Sequence, residues 1–106
     1  MELLDDDAVA AALALLPSWT GDQGRIARTV HTAPDRAETL RVEVMGIADE
    51  LDHHPVVEHH GEALTFILWT HSAGGVTPKD IDLAGRIDAV VDRSSTIGPA
   101  ATGPLT

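Results

Sequence analysis

The feature that most constrains the fold is a change of hydrophobic period at His53-His54-Pro55. Before this point, apolar residues recur at steps of three and four, as in an amphipathic helix of about four turns: Ala37, Leu40, Val44, Ile47 and Leu51. Because proline disfavours helical geometry in the residue before it, this helix should end near His53. After it, Val56-Val57 and residues 63–70 predict two strands around a turn at His60-Gly61-Glu62.

The N-terminal part of the chain predicts the same order of one helix and two strands. An acidic residue among positions 5–7 can cap a first helix that runs to about Leu16 and is ended by Pro17. The run Thr20-Gly21-Asp22-Gln23-Gly24 is typical of a hairpin turn, and residues 25–32 alternate as a strand does.

Capping signals mark the second and third helices. Asp35 and Glu38 form a pair like a capping box at the start of the long helix. Thr77-Pro78-Lys79-Asp80 combines an N-cap threonine, a proline at the first helical position and an acid at the third. The order α-β-β-α-β-β-α predicts an α+β domain, in which helices pack on one face of a four-stranded antiparallel sheet. We assign residues 1–92 to this single domain and residues 93–106, which are small, polar and rich in Gly and Pro, to a disordered tail.

Charge and composition exclude several classes of function. A formal net charge of −10 over 106 residues argues against a nucleic-acid partner or an anionic membrane surface. The absence of cysteine excludes disulfides, thiolate chemistry and Cys-based metal sites. No apolar run approaches the roughly 20 residues of a transmembrane helix, and the N-terminus does not resemble a signal peptide. We therefore expect a cytoplasmic protein, small enough for oligomerisation to stabilise it.

Three histidines lie at predicted element ends, where polar sites are commonly built: His53, His54 and His71. An unperturbed imidazole titrates near neutral pH, so the pattern suits proton transfer or metal binding. Asp49 lies one helical turn before His53 and could orient its imidazole. Asp80 could serve the same site or only cap its helix. The other histidines belong to no motif and are interpreted as surface residues: His31, His59 and His60.

A three-histidine zinc site is the chemical alternative to acid–base catalysis. Adjacent histidines rarely direct both rings at one ion, and the chain has neither a pair of histidines four residues apart nor an HExxH motif. We therefore expect no metal. Gly74-Gly75 lacks a P-loop lysine and the GxGxxG pattern, so we do not expect a nucleotide phosphate site.

Taken together, these motifs resemble the signature of the pterin-4a-carbinolamine dehydratases. The matching positions are Asp49, His53-His54-Pro55, Thr70-His71, Gly75-Val76-Thr77 and Asp80. The resemblance covers about residues 19–91 and is strongest over residues 49–84. It implies a dehydratase that removes water from 4a-hydroxytetrahydropterin to give quinonoid dihydropterin, which recycles the cofactor of aromatic amino-acid hydroxylases.

The resemblance also implies roles for the site residues. His53, His54 and His71 would share acid–base catalysis and pterin binding, with Asp49 and Asp80 orienting them, and the choice of acid and base stays open. The pterin is the substrate, so no cofactor is implied. The fold often forms homodimers or homotetramers, and we expect one of these here.

The family also provides the alternative function. Some relatives act as a transcription-factor dimerisation partner or a carboxylase assembly factor, so a non-catalytic binding module on the same fold is possible. The chain departs from the family after the HHP motif, where Val56-Val57-Glu58 and Gly61 stand in place of the usual aromatic residues. Smaller side chains there would change the wall of a pterin pocket.

Overall fold

The computed structural model describes residues 2–100, and the side chains of residues 2–93. The elements in chain order are α1 (Asp6–Ala14), β1 (Thr20–Gly21), β2 (Ile26–His31), α2 (Pro34–Leu51), β3 (Val56–His60), β4 (Ala63–Leu68), a 3-10 turn (His71–Ala73) and α3 (Pro78–Ala100). The strands form one antiparallel sheet in the order β1-β2-β4-β3. The predicted α+β fold with a four-stranded antiparallel sheet is confirmed.

The backbone of α3 continues past Arg93, where the predicted tail begins, and is helical to Ala100. Residues 101–106 lie outside the described residues. The disordered tail over residues 93–106, and with it the domain boundary after residue 92, stays a prediction. Within the described chain, no helix combines the length and the apolar composition needed to cross a membrane.

All three helices pack on one face of the sheet. Alternate residues of a strand point to opposite sides, so every second strand residue faces the helices. In β4, Leu64, Phe66 and Leu68 are buried, whereas the residues between them are only partly covered. In β2, Ile26 and Val30 pair with Leu68 and Leu64 and face the same core. The helices cover this face with Val9, Leu40, Val44, Leu83 and Ile87. Each large apolar side chain buried here stabilises the fold by roughly 1.5–3 kcal/mol.

The starts of α1 and α3 follow the predicted capping chemistry. Asp5 is the N-cap of α1, and its carboxylate accepts a hydrogen bond of 2.8 Å from the N–H of Ala8. The first helix ends at Ala14, slightly before the predicted position. α3 begins at Pro78 as predicted, since the fixed φ of proline suits the first turn of a helix.

The predicted capping box of α2 is wrong. The helix begins at Pro34, and its N-cap, Ala33, makes no side-chain hydrogen bond. Proline at the first helical position needs no partner for a backbone N–H and already has a helical φ, so α2 starts before Asp35. Glu38 instead pairs with Arg41, and the hydrogen bond from this guanidinium lowers the pKa of Glu38.

A partly buried ion pair joins α3 to the sheet. Arg28 lies on the core face of β2, and its Nη1 is 2.5 Å from Asp88 Oδ1. The indole Nε1 of Trp19 donates to the same oxygen at 2.8 Å. Because a part-buried carboxylate requires such partners, these contacts fix the position of α3 along the sheet.

The loop between β4 and α3 is held by main-chain contacts. Thr70 and Gly75 form an antiparallel bridge that closes the loop. The N–H of Val76 donates to the carbonyl of Gln23 at 2.8 Å. A Cβ atom on Gly75 would lie 2.5 Å from that carbonyl oxygen, so glycine permits this close approach. The β1–β2 turn therefore supports the loop that carries His71.

Gly75→Ala is expected to lower the free energy of unfolding by about 1–3 kcal/mol, because the added methyl group would overlap the Gln23 carbonyl and force the loop to move. Gly46→Ala is the matched control. Gly46 lies in α2 with no atom within 4 Å of its Cβ position, so alanine should stabilise the helix by about 0.5–1 kcal/mol. Urea titration followed by circular dichroism measures both changes. Wild-type stability in Gly75→Ala would contradict the close approach.

Candidate active site

The chain turns sharply after α2 and directs His53 toward the start of α3. α2 ends at Leu51, and Asp52 caps it with a left-handed φ of 52°. The Nε2 atom of His53 lies 2.5 Å from Asp80 Oδ1, with side chains 11% and 0% exposed. The expected contact of His53 with Asp49 is wrong, because the left-handed turn at Asp52 takes His53 off the helix face that carries Asp49.

Asp49 contacts the next histidine instead. His54 Nε2 lies 2.6 Å from Asp49 Oδ1, and these side chains are 47% and 73% exposed. Solvent screens such a pair, and exposed ion pairs contribute about 0–1 kcal/mol to stability. Asp49 is therefore placed to orient His54 at the surface, in a setting unlike that of His53.

Asp80 accepts hydrogen bonds on both carboxylate oxygens. Oδ1 contacts His53, and Oδ2 accepts from the N–H of Thr77 and from the hydroxyl of Thr70, each at 2.9 Å. The bond from Thr77 is the predicted capping bond, so Asp80 both caps α3 and contacts a histidine. The sequence analysis assigned Thr70 no role beyond its place in the motif, and it assigned Thr77 only a capping role. The signal that could have found them is that both are polar residues flanking the loop between β4 and α3.

His71 reaches the same end of the sheet from a different element. Val56, at the start of β3, pairs with Ile67 near the end of β4, so the histidines before β3 and His71 after β4 lie at one sheet end. The His71 ring stacks on Trp69 with centroids 4.5 Å apart and planes 25° apart. Within residues 2–93, no hydrogen bond or ion pair links His71 to the other two site histidines.

The histidines outside the motif lie elsewhere. His31 and His60 are exposed at the other ends of their strands. His59 is also exposed, and its Nε2 lies 3.0 Å from the carbonyl oxygen of Gly61. These positions agree with their interpretation as surface residues.

The site thus offers two carboxylate–imidazole pairs and a third imidazole. A carboxylate orients an imidazole and stabilises the positive charge that forms when the ring accepts a proton. Among the side chains that the structure describes, no group of three or more His, Asp and Glu is arranged to hold a metal ion. That the protein uses neither metal nor cofactor stays a prediction.

Comparisons of the sequence and of the fold with known proteins indicate the same family. The family model for "Pterin 4 alpha carbinolamine dehydratase" matches residues 2–90. A protein of Mycobacteroides abscessus with the provisional name pterin-4-alpha-carbinolamine dehydratase is 43% identical over 95 residues, which are 88% of this chain and 100% of the relative. A protein of Nocardia farcinica with the same provisional name is 44% identical over 88 residues, 82% of this chain and 93% of the relative.

A solved structure gives the same relationship in three dimensions. The crystal structure of a "transcriptional coactivator/pterin dehydratase" from Brucella melitensis matches with a TM-score of 0.78 and 28% sequence identity, covering 82% of this chain and 96% of that one. The family match extends over all four strands and the residues of the site. The chain belongs to the pterin-4-alpha-carbinolamine dehydratase family.

Proposed function

We propose that this protein removes water from 4a-hydroxytetrahydropterin to give quinonoid dihydropterin by acid–base catalysis with His53, His54 and His71. The observation that carries the proposal is the buried pair of His53 and Asp80, at the sheet end that also carries the other two histidines. Asp80 and Asp49 act as orienting groups for His53 and His54.

The reaction needs one proton donor and one proton acceptor. The C4a–O bond breaks as a protonated imidazole gives its proton to the departing hydroxyl group. A neutral imidazole accepts the proton of N5, the C4a=N5 double bond forms, and water leaves. A positioned acid or base of this kind typically contributes about 10²–10⁴-fold to the rate. The pterin undergoes no net oxidation or reduction, so the proposed reaction requires no redox cofactor.

A binding module is the second candidate. The name of the Brucella melitensis protein joins "transcriptional coactivator" to "pterin dehydratase", so a protein–protein role is a separate hypothesis for this chain. A stopped-flow assay of 4a-hydroxytetrahydropterin dehydration distinguishes the two. Acceleration over buffer supports the enzyme, and a rate equal to buffer favours the binding module.

The proposed assembly is a homodimer or homotetramer. β3 is an edge of the sheet, and its Val56 is 38% exposed. Exposed strand edges offer unpaired backbone groups that natural proteins generally cover. Light scattering coupled to size-exclusion chromatography measures the assembly directly.

His53→Gln is expected to lower kcat about 10²–10⁴-fold while the protein stays folded, because glutamine can still donate to Asp80 but cannot accept and return a proton as imidazole does. His71→Ala should also lose most dehydratase activity. The matched control is His60→Gln, an exposed histidine outside the site, which should keep the wild-type rate. Stopped-flow kinetics and circular dichroism give both readouts, and wild-type rates in His53→Gln and His71→Ala together would refute acid–base catalysis by these residues.

The two aspartates should respond unequally to the same change. Asp80→Asn places an amide among the buried donors of the network, and should lower the free energy of unfolding by about 3–5 kcal/mol. Asp49→Asn breaks an exposed pair and should cost less than about 1 kcal/mol. The loss of kcat should be the larger in Asp80→Asn. Denaturation and stopped-flow assays measure these effects, and equal losses in both variants would contradict the difference in burial.

A further inference from the structure

The hydroxyl groups of Thr70 and Thr77 lie against Asp80 and take no part in the proton transfers described above. Thr70 is 7% exposed and Thr77 is 0% exposed. The two Oγ1 atoms are 2.7 Å apart, and Thr70 Oγ1 is 2.9 Å from Asp80 Oδ2. Every buried side-chain nitrogen and oxygen atom in the described residues has a hydrogen-bond partner, so these contacts form an ordered network.

Counting protons gives the direction of each bond. A threonine hydroxyl has one proton to donate, and an ionised carboxylate can only accept. Thr70 therefore donates to Asp80 Oδ2, and Thr77 donates its hydroxyl proton to Thr70. The N–H of Thr77 is a second donor to Oδ2 at 2.9 Å. Oδ1 remains for His53.

We propose that Thr70 and Thr77 are positioning residues that keep Asp80 ionised and thereby fix His53 in the tautomer with its proton on Nε2. A buried carboxylate is costly unless hydrogen-bond donors surround it. Asp80 has two donors on Oδ2 besides His53, and the Thr70 donor is itself held in direction by Thr77. An ionised Asp80 Oδ1 at 2.5 Å then requires a proton on the facing Nε2 atom.

This tautomer assigns one role within the proposed function, on which the inference rests. With its proton on Nε2, the neutral His53 ring has its lone pair on Nδ1. His53 is then the acceptor of the N5 proton, and Asp80 stabilises the imidazolium that results. Donation to the departing hydroxyl group is left to His54 or His71.

Nitrogen-15 NMR of the histidine-labelled protein tests the tautomer without turnover. Protonated and unprotonated ring nitrogens have well-separated chemical shifts, and the signals of His53 are identified by their loss in His53→Gln. We expect a protonated Nε2 and an unprotonated Nδ1 in the wild-type protein. A His53 ring with its proton on Nδ1 overturns the proposal, whatever the behaviour of any threonine variant.

Thr70→Val tests the positioning role, because valine keeps the shape of threonine and removes its hydroxyl. The variant should show His53 as a mixture of tautomers, a roughly tenfold lower kcat and little change in KM. Thr70→Ser, which restores the hydroxyl, should return the tautomer and kcat toward wild type. An unchanged tautomer and kcat in Thr70→Val overturns the proposal.

Thr65→Val is the matched control. Thr65 lies on β4, and its hydroxyl oxygen is 2.8 Å from that of Thr29. This pair is separate from the hydrogen-bond network of Asp80. The same substitution here should leave the tautomer and kcat unchanged. If the wild-type protein does not accelerate dehydration, the proposed function fails, while the NMR measurement still decides the positioning role.

Discussion

The burial of one carboxylate, that of Asp80, determines how the ends of three elements meet. A buried carboxylate loses its hydration and needs hydrogen-bond donors in return, at a cost of several kcal/mol when they are missing. The donors come from His53 after α2, Thr70 after β4 and Thr77 before α3. The residues that satisfy this charge are therefore also the residues that hold the candidate site together.

α3, the helix that carries Asp80 in its first turn, is held against the sheet at a second position. Asp88 lies further along α3 and accepts from Arg28 on β2 and from Trp19 before β1. Two carboxylates on α3 thus contact the sheet side of the molecule at separate positions along the helix. Such contacts define direction and register more narrowly than apolar packing, which tolerates small sliding movements. The contacts of Asp88 therefore help to position the start of α3, where Asp80 lies.

Contrasting environments make the two carboxylate–imidazole pairs chemically different. The pair of His53 and Asp80 is almost fully buried, whereas the pair of His54 and Asp49 lies in solvent. Electrostatic interactions are stronger where water is excluded, and a rigid buried pair keeps one geometry. One histidine with a fixed orientation beside two more accessible histidines suits a reaction that both takes up and gives a proton.

The sequence by itself determined the order of the elements and most of their starts and ends, because these depend on residues adjacent in the chain. The period of residues 37–51, the break at Pro55 and the Thr77-Pro78 start of α3 are all local signals. The sequence also singled out the three candidate histidines by their motif. The tertiary structure decided which side chains contact each other. Asp49 contacts His54 because the left-handed turn at Asp52 rotates the chain, and Thr70 meets Asp80 only once β4 and α3 are packed, since contacts between elements depend on geometry that no local pattern contains.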